Sequence, residues 1–256
     1  TYGIPAYRLP RAPLFSEIEN IKRAGVEIYN NMALGRDFSL DDLQTSGVKV
    51  HADASASNGS GRGVTTLPPF DAVVLALGSH KSRKLQIPGE DKTGVYHGVT
   101  FLREIALGHA PDVAGKRIGI VGGGDVAIDV ARSAWRLGAA EVHVIYRRTE
   151  EDMPAHKEEI HAAHAEGVQF HFLVNPVSVL GDGQVTGVCL RPQRLAEFDE
   201  GGRRRPKAIE GADFDLALDM LVPAIGQTTD FDWMPADDSS VQTNWNSVLK
   251  TDDAFQ

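Results

Sequence analysis

Cysteine is nearly absent: Cys189 is the one thiol in 256 residues. A single thiol excludes an internal disulfide, and it excludes a zinc or iron-sulfur centre built from this sequence's own thiolates. Long apolar runs are missing too. Residues 72–77 make one of the longest, far below the roughly 20 residues of a membrane span, and no basic stretch leads into an apolar one near the first residue. Positive charge is in short supply, with 26 Lys and Arg against 35 Asp and Glu and a formal net charge of −9. A general polyanion binder needs a basic surface or stripe, so nucleic acid is argued against as a partner, and so is a membrane. A reducing, cytoplasmic setting is the expectation. The remaining composition, 42% apolar and 24% charged, suits one large globular domain or two small ones. The sequence begins "TYGIPAYRLP" and stops at "TDDAFQ" without a terminal pattern, so both ends are expected to be cuts.

Along the chain, residues 16–24 place acids early, bases late and Ile18 three before Ile21, which predicts a short helix ending at Gly25. "VEIY" at 26–29 is expected to be a strand. Residues 51–69, rich in Ser, Gly and Ala with a double proline, predict an exposed loop or loose hairpin. "DAVVLALG" at 71–78 is a nearly continuous apolar run, as expected of a strand buried on both faces. After Pro88, Gly89 and Gly94 come a helical pattern at 98–108 and a second buried strand at 116–124. From there strand, helix and strand alternate through 141–148, 154–167 and 168–174, the order of a parallel βαβ sheet. Gly181, Asp182 and Gly183 between alternating runs predict an antiparallel hairpin over 177–192, and "LDMLVPAIGQ" at 218–227 one more strand. "DMLVPAIG" echoes "DAVVLALG", which fits two nucleotide-binding units of similar build and fits equally two ordinary buried strands.

The chemistry concentrates in "VGGGDVA". Gly122, Gly124 and Ala127 form a GxGxxA fingerprint: the first permits a sharp turn, the second lacks the Cβ that would block a pyrophosphate, and the third lets helix lie close on strand. The helix that follows, with Ala127, Val130, Ala131 and Ala134 at helical spacing, points its free N–H groups and positive dipole end at the phosphates. Such a turn alone is often only a turn, but strand, turn, helix and second strand all occur here in order. Arg147 and Arg148 stand where an NAD site presents a carboxylate to the ribose, and guanidinium forks match a 2′-phosphate, which favours NADP(H). Two alternatives stay open: both arginines as solvated loop residues, or one of Glu150, Glu151 and Asp152 serving NAD.

Other groups have bland readings. His161 and His164 with Glu158 share a helix face but lack a further ligand at a recognisable metal spacing, so a solvated face is expected and no metal site is assigned. "GRRRPK" at 202–207 is expected to be a solvated loop, with a small phosphate or acidic-partner patch as the alternative. Cys189 is expected in a strand core.

With "YGIPAYRLP", "VVLALGS", "VGGGDVAIDVARSA", "YRRTEEDMPA" and "PAIGQ" in this order, the sequence resembles the small subunit of NADPH-dependent glutamate synthase and its relatives, including the flavin half of dihydropyrimidine dehydrogenase. The resemblance spans nearly the whole chain. It implies an α/β fold with a Rossmann-like NAD(P)-binding domain, residues 96–226, inserted in a partial FAD-binding domain made of residues 1–95 and a return segment, 227–256. It implies Arg8 and Leu34 at the FAD, and Gly123, Asp125, Val126, Arg147, Arg148, Ala224, Ile225 and Gly226 beside Gly122 and Gly124 at the NADPH. No catalytic side chain is nominated, because hydride transfer between two cofactors needs position and exclusion of water rather than an acid-base pair.

The family's cysteine-bearing segment for iron-sulfur clusters, its FAD glycine fingerprint and its Gly-Asp motif have no counterpart here, so the expectation is an interior piece of a longer flavoprotein. That protein would pass hydride from NADPH to FAD and electrons on to iron-sulfur carriers, with a large subunit or iron-sulfur acceptor as partner. A non-catalytic NAD(P)-binding module or sensor, and more remotely an NAD-dependent dehydrogenase of a small alcohol or acid, are the competing expectations.

Overall fold

The computed structural model describes residues 2–51, 64–198 and 202–234. Of the expected loop or hairpin at 51–69, residues 52–63 lie outside the described residues, and so does the return segment beyond Met234. The chain divides into two compact units, one joining Thr1–Leu9 to Lys81–Gln227 and the other joining Pro10–His80 to Thr228–Gln256. The division falls at residue 81 rather than at the expected 96, and residues 1–9 go with the larger unit.

In the smaller unit, helix α1 (Arg11–Arg23) starts five residues before the expected 16. Pro13 falls in its first turn, where no N–H is required, and Lys22 and Arg23 suit the negative end of the dipole. Strands β1 (Val48–His51) and β2 (Val64–Leu67) pair antiparallel, with Val48 opposite Leu67 and both Val48 and Val50 buried. Two expected strands do not form. Residues 26–29 and 71–78 run without strand partners among the described residues, and Val74 is 88% exposed. An apolar run becomes a buried strand only where neighbours cover its edges and both faces, and here Val73, Leu75 and Leu77 are only half-buried.

The larger unit starts with the two-residue strand β3 (Lys81–Ser82) and helix α2 (Gly98–Ala106). It continues through β4 (Arg117–Val121), α3 (Asp125–Arg136), β5 (Glu141–Tyr146), α4 (Lys157–Glu166) and β6 (Gln169–Phe172). Next come β7 (Val174–Leu180), β8 (Gly187–Phe198), β9 (Arg204–Ala208), β10 (Phe214–Ala217), β11 (Met220–Pro223) and β12 (Gln227–Thr228). Strands β11, β4, β5 and β6 form a parallel sheet in that spatial order. One face of this sheet, with Ile118, Ile120, Val142 and Val144, packs under α2, α3 and α4. The other face, with Val121, Ile145 and Leu221, packs on Val174, Val179, Val188 and Leu190 of an antiparallel layer built by β7, β8 and β10. Covered on both faces, the parallel strands read as the near-continuous apolar runs that made them legible. The far half of β8 leaves that layer and pairs with β9 as a two-stranded ribbon.

Candidate functional site

The glycine turn lies at the carboxyl end of β4, where Gly122 donates its N–H to Ile145 at 3.0 Å. Gly122 has φ +142, and a Cβ there would sit 2.3 Å from the Ala224 carbonyl oxygen. No other residue fits that position. A Cβ on Gly123 would meet the Tyr146 ring at 2.6 Å, and the Tyr146 hydroxyl donates to the Asp152 carbonyl at 2.9 Å, so aromatic ring and turn are locked together. Gly124 differs. A Cβ there would make one ordinary contact, with Pro154 Cγ at 3.9 Å, so the position has room for it. Gly124 is also the residue preceding α3, and no side chain caps that helix start. The first N–H groups of an uncapped helix, next to an open glycine, make a cradle for a diphosphate.

Around this turn the structure gathers most of the residues singled out in the sequence. Ala224 donates its N–H to Val121 at 2.8 Å and leads into Ile225, 41% exposed, and Gly226, whose carbonyl accepts from Arg83 at 3.0 Å. Val126 packs against the start of α2, where a Cβ on Gly98 would lie 3.1 Å from both Val126 and Ala224. Asp125 accepts from the His156 backbone N–H at 3.1 Å and faces His156 Nδ1 at 2.8 Å. Burial alone would raise the Asp125 pKa, but these bonds from His156 outweigh it and hold it low; the same hydrogen bond raises the pKa of His156.

Strand β5 ends at Tyr146, and the two arginines beyond it part company. Arg147 is exposed, whereas Arg148 is buried, with Nε donating to the Arg204 carbonyl at 2.8 Å. The acids that could have served a ribose are engaged in part. Asp152 accepts from the Thr149 hydroxyl at 2.7 Å, and Glu150 pairs with His164 at 3.2 Å in a short turn, Glu150–Asp152. His164 also stacks on Phe170 at 4.1 Å, and among the described residues no three His, Cys, Asp or Glu side chains converge to hold a metal. Cys189 is half-buried in β8.

The two residues carried over for a flavin fall in different units. Leu34 is half-buried in the smaller unit. Arg8, in the larger unit, lays its guanidinium on the buried carboxylate of Asp129 at 2.8 and 2.9 Å, with Glu159 at 3.7 Å and Asp125 at 3.9 Å. Its neighbour Tyr7 lies under the Arg132 and Arg136 guanidiniums at 4.9 and 3.8 Å, and burial is the main cause that pushes its hydroxyl up to about 12. Arg132 in turn holds Glu159 and Glu166.

A profile of the pyridine nucleotide-disulphide oxidoreductase family matches residues 12–256. The chain belongs to that family. Among relatives, it is 41% identical to the "NADP(+)-dependent formate dehydrogenase subunit beta" of Moorella thermoacetica, over 98% of this chain and 32% of that protein. It is 40% identical to the "NADPH-Fe(3+) oxidoreductase subunit beta" of Geobacter sulfurreducens, over 96% of this chain and 34% of the relative. With the "Glutamate synthase [NADPH] small chain" of Escherichia coli the identity is 31%, over 100% of this chain and 52% of that one. The chain therefore spans about a third to a half of the length of these relatives. In fold it is similar to FprA, a Mycobacterium tuberculosis oxidoreductase, with a TM-score of 0.64 and 21% identity over 86% of this chain and 60% of the other. This likeness supports the two-dinucleotide-domain α/β architecture expected from the sequence. No helix among the described residues is long and apolar enough to cross a membrane.

In this member of the pyridine nucleotide-disulphide oxidoreductase family, sequence reasoning missed three side chains at the turn. Tyr146, His156 and Asp129 each meet a partner, and Asp129 finds Arg8 across 121 positions. An acid outside the apolar stripe of an otherwise buried helix was the available signal. A fourth, His97 at the start of α2, has a buried Nδ1 without a hydrogen-bond partner among the described residues.

Proposed function

We propose that this chain carries the NADP(H) site of a flavoprotein oxidoreductase, with Gly122–Val126 holding the diphosphate, Arg147 meeting the 2′-phosphate and Ala224–Gly226 bordering the turn. The observation that carries this reading is the open, uncapped Gly124 at the head of α3, followed at the end of the next strand by an exposed arginine. A guanidinium fork matches a phosphate dianion in charge and geometry. Arg148 serves here by bracing its surroundings, since burial and the Arg204 carbonyl engage it. Arg8, held by Asp129, and Leu34 are the flavin-side residues of this reading.

When bound, NADPH supplies a hydride and FAD passes the electrons on singly, which is the division of labour between a two-electron donor and iron-sulfur carriers. The chain's own residues bind, orient and exclude water. Names such as "NADP(+)-dependent formate dehydrogenase subunit beta" and "Glutamate synthase [NADPH] small chain" support NADP(H) as the dinucleotide and an assembly with further electron-carrying subunits.

The test is equilibrium binding of NADPH and NADH to the full-length protein. NADPH is expected to bind more tightly, and Arg147→Ala to cost about tenfold for NADPH alone. Equal affinities that Arg147→Ala leaves unchanged would remove the 2′-phosphate assignment. A full-length protein without flavin absorbance would leave a non-catalytic binding module.

A further inference from the structure

The β8–β9 ribbon is tied at both of its ends to the residue that follows Arg147. Arg148 donates Nε to the Arg204 carbonyl at 2.8 Å, and its own carbonyl accepts from Leu173 at 3.1 Å. The Leu173 carbonyl accepts from the Gln193 N–H of β8 at 2.6 Å, and Leu173 holds φ +56, a left-handed conformation rare for a branched residue. Both strands of the ribbon are thus tied to the carboxyl end of β5, where the ribose end of the dinucleotide belongs in the reading above.

The ribbon's two faces differ. Arg204 stands opposite Phe198 and lays its guanidinium 5.5 Å from that ring. Side chains alternate along a strand, so Arg205 and Lys207 share the other face, and Lys207 stands directly opposite Arg194. These three cations have no carboxylate partner among the described residues. Like charges placed opposite one another across two strands are destabilising. An anion lying against this face would relieve that repulsion.

We infer that this face completes the 2′-phosphate subsite: Arg205, next to the residue that Arg148 anchors, is a second cation for the 2′-phosphate, with Lys207 and Arg194 adding to the local positive potential. The inference rests on the NADP(H) reading and adds to it a specificity residue nearly 60 positions beyond the strand that carries Arg147. Arg148 is then a positioning residue that acts through the Arg204 backbone.

The probes are adenosine 2′,5′-bisphosphate and 5′-AMP, titrated into the full-length protein and its Arg147→Ala, Arg205→Ala and Arg204→Ala variants; the three replaced side chains are exposed, so each variant should fold. Arg205→Ala is expected to weaken the bisphosphate about tenfold and leave 5′-AMP unchanged, while Arg204→Ala, on the opposite face, shifts either by less than about twofold. If Arg147→Ala erodes the preference for the bisphosphate and Arg205→Ala does not, the ribbon inference falls and the NADP(H) reading stands. Equal losses from Arg204→Ala and Arg205→Ala would overturn the assignment of a face, because only a diffuse field would be left. If the unmodified protein shows no preference for the bisphosphate, the NADP(H) reading fails first.

Discussion

Three adjacent glycines in the turn meet three different surroundings. At Gly122 an added Cβ would strike the Ala224 carbonyl, and at Gly123 it would strike the Tyr146 ring, so alanine at either position forces the turn apart. At Gly124, φ is −93° and the nearest atom to an added Cβ is 3.9 Å away, so alanine fits the protein while occupying space that the proposed diphosphate site needs. Gly124→Ala is therefore expected to keep its stability within about 0.5 kcal/mol in urea unfolding, the difference between glycine and alanine before a helix. It should nevertheless lose most NADPH binding by titration. A parallel loss of both would mean that the position is structural after all. The spacing alone predicted a turn here, but it could not divide the two glycines whose Cβ would clash from the one whose Cβ would not, because that depends on what lies opposite each Cα.

Among the elements, the parallel strands were legible and their edges were not. Strands β4, β5, β6 and β11 read correctly because a strand covered on both faces must be apolar throughout. Residues 71–78 have the same composition and form no strand, since burial belongs to the neighbours and not to the run itself. The seam between β11 and β4 depends on a side chain that no pattern marked. Asp219 accepts from the Arg117 backbone N–H at 2.9 Å and from its guanidinium at 3.1 and 2.8 Å. The guanidinium bonds, foremost, and then the backbone bond pull its pKa down to about 2. A carboxyl whose pKa is lowered by folding stabilises above its unfolded value, about 3.9, and that contribution is lost as pH falls through the folded value. Urea unfolding between pH 5 and pH 2 should therefore show Asp219→Asn less stable than the parent by about 1 kcal/mol at pH 5, with the gap closing toward pH 2. A gap that stays constant with pH would show that the carboxylate charge contributes nothing at the seam.

At the scale of the whole molecule, the larger unit is discontinuous, and its first nine residues are held to it by charge. Asp129 is buried on α3, and desolvation raises its pKa; Arg8 opposes that rise, while Glu159 and Asp125 add to it. In the whole chain, the Arg8 pair offsets only part of that rise, since the pKa stays raised with the guanidinium in place. In an excised span of residues 81–227 the guanidinium is gone, while the desolvation and the two neighbouring carboxylates remain. The gain from Asp129→Asn should then grow on excision: the substitution is expected to stabilise the excised span by about 1 kcal/mol more than it stabilises the whole chain, because it removes a carboxylate that Arg8 no longer offsets. The pH dependence sharpens the test. A carboxyl whose pKa is raised by folding favours the folded state below its unfolded value, and the advantage is lost as pH rises through the folded one. The excised span should thus lose stability as pH rises from 4 to 7, and its Asp129→Asn variant should not lose that component. If Asp129→Asn had the same effect in both proteins, Arg8 would not be the offsetting charge.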